Sequence, residues 1–434
     1  MKTNNKTVAF YTLGCKVNQY ETNAMMNIFK NNGYEIVDFT EYADVYVVNT
    51  CTVTSMSDKK SRQVLRRAKH INSNGILCAV GCYAQVAKAE LEKIDEIDII
   101  LGTVEKKDIL EKIEIYRKEN SHKRTKLIAV ENIMKLQPYQ SYDGIAYTKH
   151  ARAEIKIQDG CDRFCSYCII PYARGPVRSR KPKEITDEIR EVVDSGVEEV
   201  VITGIHISSY GKDFKNLENK YTLIDLLEEI NAIQGIKRIR LGSLEPRIIT
   251  EDFVKRLVSL DKVCNHFHLS LQSGCNETLK RMNRKYTIEE FKKIVNLLRN
   301  NISDVALTTD VIVGFPGETD EEFAQTLEFL SNVKFSKMHV FKYSKRQGTP
   351  AAMYPNQVSE EKKENRSNIL LKMSDENEKE FAEQYIGKDI EVLFENEIEG
   401  HTTNYIKVIR ENKSELAGIK KVVPKKWEKD ALYT

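Results

Sequence analysis

The sequence predicts an α/β protein in three parts: an N-terminal parallel-sheet α/β domain over residues 1–140, a central (βα)6-type partial barrel over 147–374, and a small C-terminal β unit over 375–434. Three observations predict it. Up to about residue 100, short apolar runs each lead into a polar, helix-compatible stretch, the mark of βα units. From Ala153 onward six longer units of this kind follow one another, as in a parallel barrel whose chemistry sits on the loops after the strands. Past Ser374 the apolar segments shorten and Gly387, Gly400 and Gly418 supply turns, which reads as a small β unit.

In the first part, "TVAFYTLGC", "VYVVNTC" and "ILCAVGC" are the candidate strands. The first helix is expected over Gln19 to Asn32, closing on Gly33, and the second begins near Ser57 or Asp58. Parallel strands share one carboxyl-end edge, where open α/β sheets hold their ligands. Cys15, Cys51 and Cys82 all fall at that end. The stretch from Glu131 to Arg152, with Pro138 and Gly144 and no clear period, marks a boundary. Barrel strands are then expected at "AEIKIQDG", "EEVVITGI", "KRIRLGSL", "HFHLSLQS", "VALTTDVIVGF" and "KMHVFKYS", and C-terminal strands at "DIEVLFE" and "NYIKVIRE".

With 67 Lys and Arg against 64 Asp and Glu, the net charge of +3 is too small to argue whole-molecule attraction to nucleic acid. The N-terminus has no small-residue cleavage pattern of a signal peptide. No segment approaches the ~20 apolar residues that span a bilayer. A cytoplasmic protein with no membrane partner is therefore expected, in which nine cysteines point to metal or catalysis rather than disulfides.

The segment "GCDRFCSYC" separates Cys161, Cys165 and Cys168 by three and then two intervening residues. A closed zinc site needs four ligands, and a zinc reading would have to borrow a distant fourth such as His206 or Cys275. A cubane iron–sulfur cluster has four corners, so three thiolates hold three irons and leave the fourth open to another ligand. Cys15, Cys51 and Cys82 could hold a second open cubane in the same way, or be core cysteines. Cys78, Cys264 and Cys275 read as core or loop residues.

"GCDRFCSYC" resembles the cluster signature of the radical S-adenosylmethionine enzymes. The resemblance implies that S-adenosylmethionine chelates the open iron and is cleaved by one electron to a 5′-deoxyadenosyl radical. It also implies that Tyr167 lies against the adenine, unless it is a packing aromatic. Gly314, Pro316 and Gly317 of "IVGFPGE" form a turn that lets backbone approach a ligand, similar to the family's adenine-side motif. Glu245 of "GSLEP" and Gln272 of "LSLQSG" are candidates for the methionyl or ribose part; the competing reading is helix capping. Ser243, Ser270 and Ser273 lie in the same two segments.

"LGCKVNQYE", "NTCTVT" and "GCYAQ" look like the three cysteine motifs of the methylthiotransferase N-terminal domain, and the C-terminal segment is similar to the small β-barrel TRAM domain. Within that family, "CKVNQYE" and "SLQSGCNETLKRMNR" most resemble the branch that methylthiolates N6-threonylcarbamoyladenosine at position 37 of transfer RNA. The resemblance implies two [4Fe-4S] clusters, the second carrying sulfur, and two S-adenosylmethionine molecules, one a methyl donor and one a radical source. It also implies an electron donor and a sulfur donor, neither identified by the sequence. The same chemistry on isopentenyladenosine-37 or on an aspartate of a ribosomal protein is an alternative, as is a metal-stabilised RNA-binding protein without turnover. An unactivated aromatic C–H offers nothing to a general base near neutral pH, so a cofactor must supply the reactivity.

For RNA, "SDKKSRQVLRRAKH" sets Lys59, Arg62, Arg66 and Lys69 on one helical stripe and Val64, Leu65, Ala68 and Ile71 on another. Such a stripe is also an ordinary solvated face. Arg174, Arg178, Arg180, Lys181 and Lys183 directly after the radical-type cysteines are expected to ring the site's mouth and meet phosphate. The C-terminal unit adds Lys407, Arg410, Lys413, Lys420, Lys421, Lys425 and Lys426, with Tyr405 and Trp427 for stacking. An anticodon-loop base must be splayed out to reach a buried iron, so the RNA would be held on both sides.

Overall fold

A computed structural model describes residues 6–120, 125–135, 138–142, 151–214, 221–411 and 418–434; Gly144 and Lys413, singled out above, lie outside them. The N-terminal domain is a six-stranded sheet, β1 Thr7–Thr12, β2 Glu35–Val37, β3 Val45–Thr50, β4 Ile76–Gly81, β5 Ile99–Leu101 and β6 Leu127–Ala129. All are parallel, in the order β2-β1-β3-β4-β5-β6. The three expected strands are β1, β3 and β4. From β1 the chain winds first to β2 and then back across to β3, so a topological switch point lies between the carboxyl ends of β1 and β3. Cys15 and Cys51 follow these two strands.

The first helix, α1, spans Lys16–Asn31 and begins earlier than expected because Cys15 is its extended N-cap residue. The second, α2, spans Ser55–Ile71, where the Thr54 hydroxyl accepts the Ser57 N–H at 3.1 Å. It buries Val64, Leu65 and Ala68.

The central strands are β7 Arg152–Asp159, β8 Arg178–Ser179, β9 Glu199–Gly204, β10 Arg238–Leu241, β11 His266–His268, β12 Ala306–Val313 and β13 Lys337–Lys342. Two sheets, β10-β9-β7-β8 and β11-β12-β13, are joined by the parallel bridges Ile239 to Val263 and Leu244 to Leu269. The result is a six-strand parallel partial barrel, with the two-residue β8 antiparallel on β7 and an open seam between β8 and β13. Each expected barrel strand is present. Ile155, Val200, Ile202, Ile239, Leu269 and Val311 share one core, the burial that makes such strands read as apolar runs.

The helix Glu360–Glu383 packs on β13 and continues past residue 374, where the sequence reading has the helical pattern end. Its last turns are charged, and only Ser374 and Ala382 are buried beyond that point, too few to show a period. The C-terminal strands are β14 Ile390–Phe394, β15 Glu399–Thr402, β16 Lys407–Ile409, β17 Gly418–Val422, β18 Lys426–Glu428 and β19 Ala431–Tyr433. They form one sheet, β17-β14-β15-β16-β19-β18, antiparallel except between β16 and β19, around Val392, Phe394, Val408 and Leu432. This unit docks on the amino end of the barrel. Arg238, first residue of β10, pairs with Glu391 at 2.8 Å; Arg152, first of β7, pairs with Glu395; Arg240 reaches the Thr402 and Thr403 carbonyls. Among the described residues no helix is long and apolar enough to cross a membrane.

Candidate active site

The three N-terminal cysteines gather at one sheet edge. Cys15 caps α1, Cys51 follows β3, and Cys82 opens the short helix Cys82–Val86 after β4. Gly14, at φ +100°, makes the approach possible: a Cβ there would lie 2.9 Å from Cys51 Sγ, and the conformation itself is one that L side chains avoid. Gly81, at φ +98°, turns the chain into Cys82 in the same way. Burial pushes the Cys51 thiol above its ordinary pKa, and the Cys82 and Cys15 thiols add to the rise, so the three sit within electrostatic reach of one another. Cys82 is also raised by burial, opposed by Arg174 and Lys106. Cys78 is fully buried in the core, and Cys264 and Cys275 are buried as well.

The other trio follows β7. Cys161 N–H donates to the Gly175 carbonyl and Cys168 N–H to that of Cys165, each at 2.9 Å. Burial pushes Cys161 up to about 11 and Cys168 up to about 12, with the neighbouring thiols contributing. Among the described residues no three His, Cys, Asp or Glu converge on a point that would hold a single metal ion, so neither His206 nor Cys275 completes a zinc site. A cubane asks for something different, since its thiolates sit on separate corners. Two thiol trios without a fourth protein ligand among the described residues fit that group, and the thiols of Cys51, Cys82, Cys161 and Cys168, raised by burial, bind iron only on losing their protons.

Around the second trio the polar groups are incompletely satisfied. The Arg163 Nε and both ring nitrogens of His206 are buried with no hydrogen-bond partner. Burial, assisted by Arg163 and opposed by Glu245, lowers His206 to about 4. Glu245 takes Arg163 at 3.1 Å and Arg247 at 2.9 Å; its side chain makes no helix cap. Lys212 stands exposed beside this group. Gln272, at φ +74°, is tied to β12 through its N–H on the Asp310 carbonyl. Tyr167 packs edge-on to Phe315 at 6.5 Å. Pro316 and Gly317 line an open cleft of about 480 Å³ with Phe164, Ser166 and Tyr354, whereas a Cβ on Gly314 would collide with Lys363. Ser270 receives Arg284 on its carbonyl, Ser273 accepts the Cys275 N–H, and Ser243 is exposed.

Arg284 was not singled out from the sequence. It donates to Cys165 Sγ at 3.4 Å, to the Ser270 carbonyl at 2.8 Å and to the Tyr286 hydroxyl at 3.0 Å. It is the last residue of "SLQSGCNETLKRMNR", 119 residues along the chain from the cysteine it serves. Arg163, lying between two of those cysteines, was legible and overlooked.

The arginines expected at the phosphate-facing rim are instead inside. Arg174 is 0% exposed, and Arg178 and Arg180 are each 5% exposed. Arg174 pairs with Glu21 and Asp159, Arg178 with Asp159, and Arg180 with Glu188. Carboxylates outside the cysteine-to-lysine run absorb its charge, Glu188 and Asp159 from the flanking segments and Glu21 from 153 residues away. Lys181 and Lys183 remain outside, Lys183 paired with Asp187 at 2.5 Å. On α2, Lys59 and Arg66 are exposed, while Lys69 binds Asp98 at 2.6 Å and Arg62 the Tyr83 hydroxyl at 2.5 Å. In the C-terminal unit Lys407 pairs with Glu399 at 2.8 Å, Arg410 lies over the Phe394 ring and Lys426 meets Glu428 at 3.1 Å. Lys421 and Lys425 are exposed, and Lys420 and Trp427 are partly buried. Tyr405 stacks on His401 and under Arg240, each at 4.7 Å, so its ring is occupied at the barrel contact rather than offered to a base.

The carboxyl edges of the two domains face each other. On the β7 side, Arg174 Nε donates to Cys82 Sγ at 3.2 Å and Thr103 Oγ1 to the Ala173 carbonyl at 3.0 Å. On the β13 side, Arg346 reaches Thr52 and Asp58, both at 2.6 Å, and Ser344 accepts the Ser55 N–H. Both trios follow strand carboxyl ends on the edges so joined.

Residues 155–330 match the radical SAM superfamily, and residues 7–102 match "Uncharacterized protein family UPF0004". The threonylcarbamoyladenosine tRNA methylthiotransferase MtaB of Bacillus subtilis (strain 168) is 47% identical over 95% of this chain and 92% of its own length. A tRNA-2-methylthio-N(6)-dimethylallyladenosine synthase of Clostridium botulinum (strain Loch Maree / Type A3) is 36% identical over 88% of this chain and 85% of its own. Among solved structures, the radical S-adenosylmethionine methyltransferase TsrM of Kitasatospora setae is similar at TM-score 0.58 and 15% identity, over 80% of this chain and 77% of that one, a likeness of fold alone. Each cysteine-bearing domain thus has its match, relatives align over almost the full length, and the chain belongs to the radical S-adenosylmethionine tRNA methylthiotransferase family.

Proposed function

We propose that this protein methylthiolates C2 of N6-threonylcarbamoyladenosine at position 37 of transfer RNA, with one [4Fe-4S] cluster on Cys161, Cys165 and Cys168 and a second on Cys15, Cys51 and Cys82. The observation that carries the reading is that, among the described residues, two thiol trios without a fourth protein ligand follow strand ends of two domains joined by Arg174 on Cys82 and Arg346 on Thr52. When bound, the clusters and two molecules of S-adenosylmethionine supply sulfur, a methyl group and a hydrogen-abstracting 5′-deoxyadenosyl radical. An electron donor and a sulfur donor are required partners.

The chain's own residues bind and orient. Arg163, held by Glu245 at 3.1 Å, and Arg284 on Cys165 and the Ser270 carbonyl fix cationic donors beside Cys161, Cys165 and Cys168, as a carboxylate-bearing cofactor needs. Glu245, Gln272 and Tyr167, with the Gly314–Gly317 turn, are the residues for the rest of that cofactor. Exposed Lys59, Lys60, Arg66 and Arg67 on α2, just beyond Cys51, and Lys421 and Lys425 in the C-terminal unit serve the RNA backbone. Substrate choice follows charge. The threonylcarbamoyl group carries a carboxylate and the dimethylallyl group none, and Lys212, Arg163 and Arg247 stand against the two carboxylates Glu245 and Asp162, an excess of one positive charge that favours the anionic substituent.

Mass spectrometry of transfer RNA nucleosides from cells lacking the protein tests the reading. The 2-methylthio derivative of threonylcarbamoyladenosine should vanish while its precursor accumulates. Loss of the dimethylallyl derivative instead would refute it. Anaerobically reconstituted protein should hold about eight irons and release 5′-deoxyadenosine when reduced with S-adenosylmethionine.

A further inference from the structure

Between the two trios lies a buried charge imbalance. Lys106 and Lys156 reach Glu21 at 2.5 and 2.7 Å, and Lys156 also reaches Asp159 at 2.7 Å. Arg174 spans both carboxylates at 2.5 and 3.3 Å, and Arg178 adds to Asp159 at 3.5 Å. Four cations thus share two carboxylates. Arg174 is 0% exposed and Glu21 1%, so water does not dilute the excess, and buried charge without a counterpart is costly. The unmatched charge points one way. Arg174 Nη2 is braced by Asn18 Oδ1 at 2.6 Å, Nη1 by Glu21, and the remaining donor, Nε, is directed at Cys82 Sγ at 3.2 Å. A neutral thiol is a weak acceptor that gives such a cation little, whereas a thiolate bearing an anionic cluster completes the arrangement.

Hydrogen bonds to the sulfurs and the net charge nearby set iron–sulfur potentials, and outer ligands that orient and polarise inner ones belong to the site. A cubane on three thiolates is anionic and becomes more so on reduction. An N–H donor and surplus cations therefore favour the reduced form. We propose that Arg174 is a positioning residue that raises the reduction potential of the iron–sulfur centre on Cys15, Cys51 and Cys82, by donating Nε–H to the Cys82 sulfur and by directing the excess charge of the Lys106, Lys156, Arg174 and Arg178 group at it. The proposal rests on the second-cluster reading above. It also explains why a residue of the barrel domain is spent on a cysteine of the N-terminal one: the two centres are electrostatically joined through Asp159, which Arg174 touches and which stands two residues before Cys161.

The test uses the full chain with Cys161, Cys165 and Cys168 all replaced by Ala, so that only the N-terminal trio can hold a cluster. After anaerobic reconstitution, iron is counted and the midpoint is read by redox titration followed by electron paramagnetic resonance. About four irons are expected; a chain that holds none overturns the second-cluster reading and this proposal with it. In a chain that does hold them, Arg174→Gln should lower the ratio of reduced to oxidised centre at a fixed potential at least tenfold, a fall of about 59 mV for one electron. Arg174→Lys, which keeps the charge but not the braced donor, should fall between. An unmoved midpoint in an iron-loaded Arg174→Gln chain overturns the proposal alone. Should Arg174→Gln not fold, Lys106→Gln removes one of the same cations without touching a thiol: a smaller fall of the same sign is expected, and no fall overturns the proposal.

Discussion

Replacing Glu21 by Gln should loosen the contact between the N-terminal domain and the barrel. Glu21 is 1% exposed and accepts hydrogen bonds from Arg174 at 2.5 Å, Lys106 at 2.5 Å and Lys156 at 2.7 Å. Removing one member of a buried ion pair costs about 3–5 kcal/mol, because the partner's charge is left behind. Asp159 still serves Arg174 and Lys156, but Lys106 keeps only Asn49 Oδ1 at 3.1 Å. The lower end, about 3 kcal/mol, is therefore expected. At roughly 2–4 °C per kcal/mol for a unit of 150–250 residues, that is about 6–12 °C in Tm. Glu111→Gln, at a side chain 65% exposed and paired with Lys112 at the surface, serves as control and should stay within about 0.5 kcal/mol. Differential scanning calorimetry of the metal-free chains reads both. Burial raises the Glu21 carboxyl, yet Arg174, Lys106 and Lys156 together bring it well below its ordinary value. A depressed carboxyl contributes its stability above the unfolded pKa, about 4.3, and loses it as pH falls through the folded one. The gap between wild type and Glu21→Gln should hold from about pH 6 upward and narrow in acid. A variant indistinguishable from Glu111→Gln, or a gap that widens in acid, would refute the reasoning.

Cys161→Ala should abolish 5′-deoxyadenosine formation, while Cys51→Ala should retain it and transfer no sulfur; product analysis by chromatography separates the two, and equal loss of both activities contradicts separate clusters. Lys212→Met should weaken capture of an anticodon-loop hairpin carrying threonylcarbamoyladenosine about tenfold, or ~1.4 kcal/mol, and leave one with plain adenosine unchanged; equal weakening of both sinks the charge argument. Burial raises Glu395, but His401 and Arg152 outweigh it and bring it down to about 2, so it stabilises docking of the C-terminal unit above the ordinary carboxylate range and progressively less toward pH 2. Discounted for partial exposure, Glu395→Gln should cost about 1–2 kcal/mol near pH 7, read by urea unfolding. His206, lowered to about 4 by burial, is neutral at pH 7 and disfavours the folded state as pH drops below about 6.5; His206→Gln should flatten the Tm-against-pH curve between pH 7 and 5.

The barrel was legible because six strand segments alternate regularly with helical stretches, so that even the three-residue His266–His268 is marked by the run "HFHLSLQS" that it opens. The N-terminal strands Glu35–Val37, Ile99–Leu101 and Leu127–Ala129 were not legible: they hold three residues each, below the length at which alternation can be counted, and no regular succession of units flags them. Cys15, Cys51 and Cys82 were legible as strand-end residues, and β1, β3 and β4 do lie side by side. The arginines after Cys168 were misread for a general reason. A run of cations looks exposed when only its neighbours in sequence are counted, and Glu21, which neutralises part of Arg174, arrives from another domain. Tyr405 misled in a similar way, since an aromatic among lysines suggests base stacking until His401 and Arg240 are seen packed on its ring.

The barrel's unclosed side carries a mechanical consequence. Near its first strand it is pinned to the loop of Cys82 through Arg174, and beyond its last strand to the loop of Cys51 through Arg346. A widening of the gap would pull on both loops at once, so the separation of the barrel's two ends and the spacing of the N-terminal thiols are geometrically linked through these contacts.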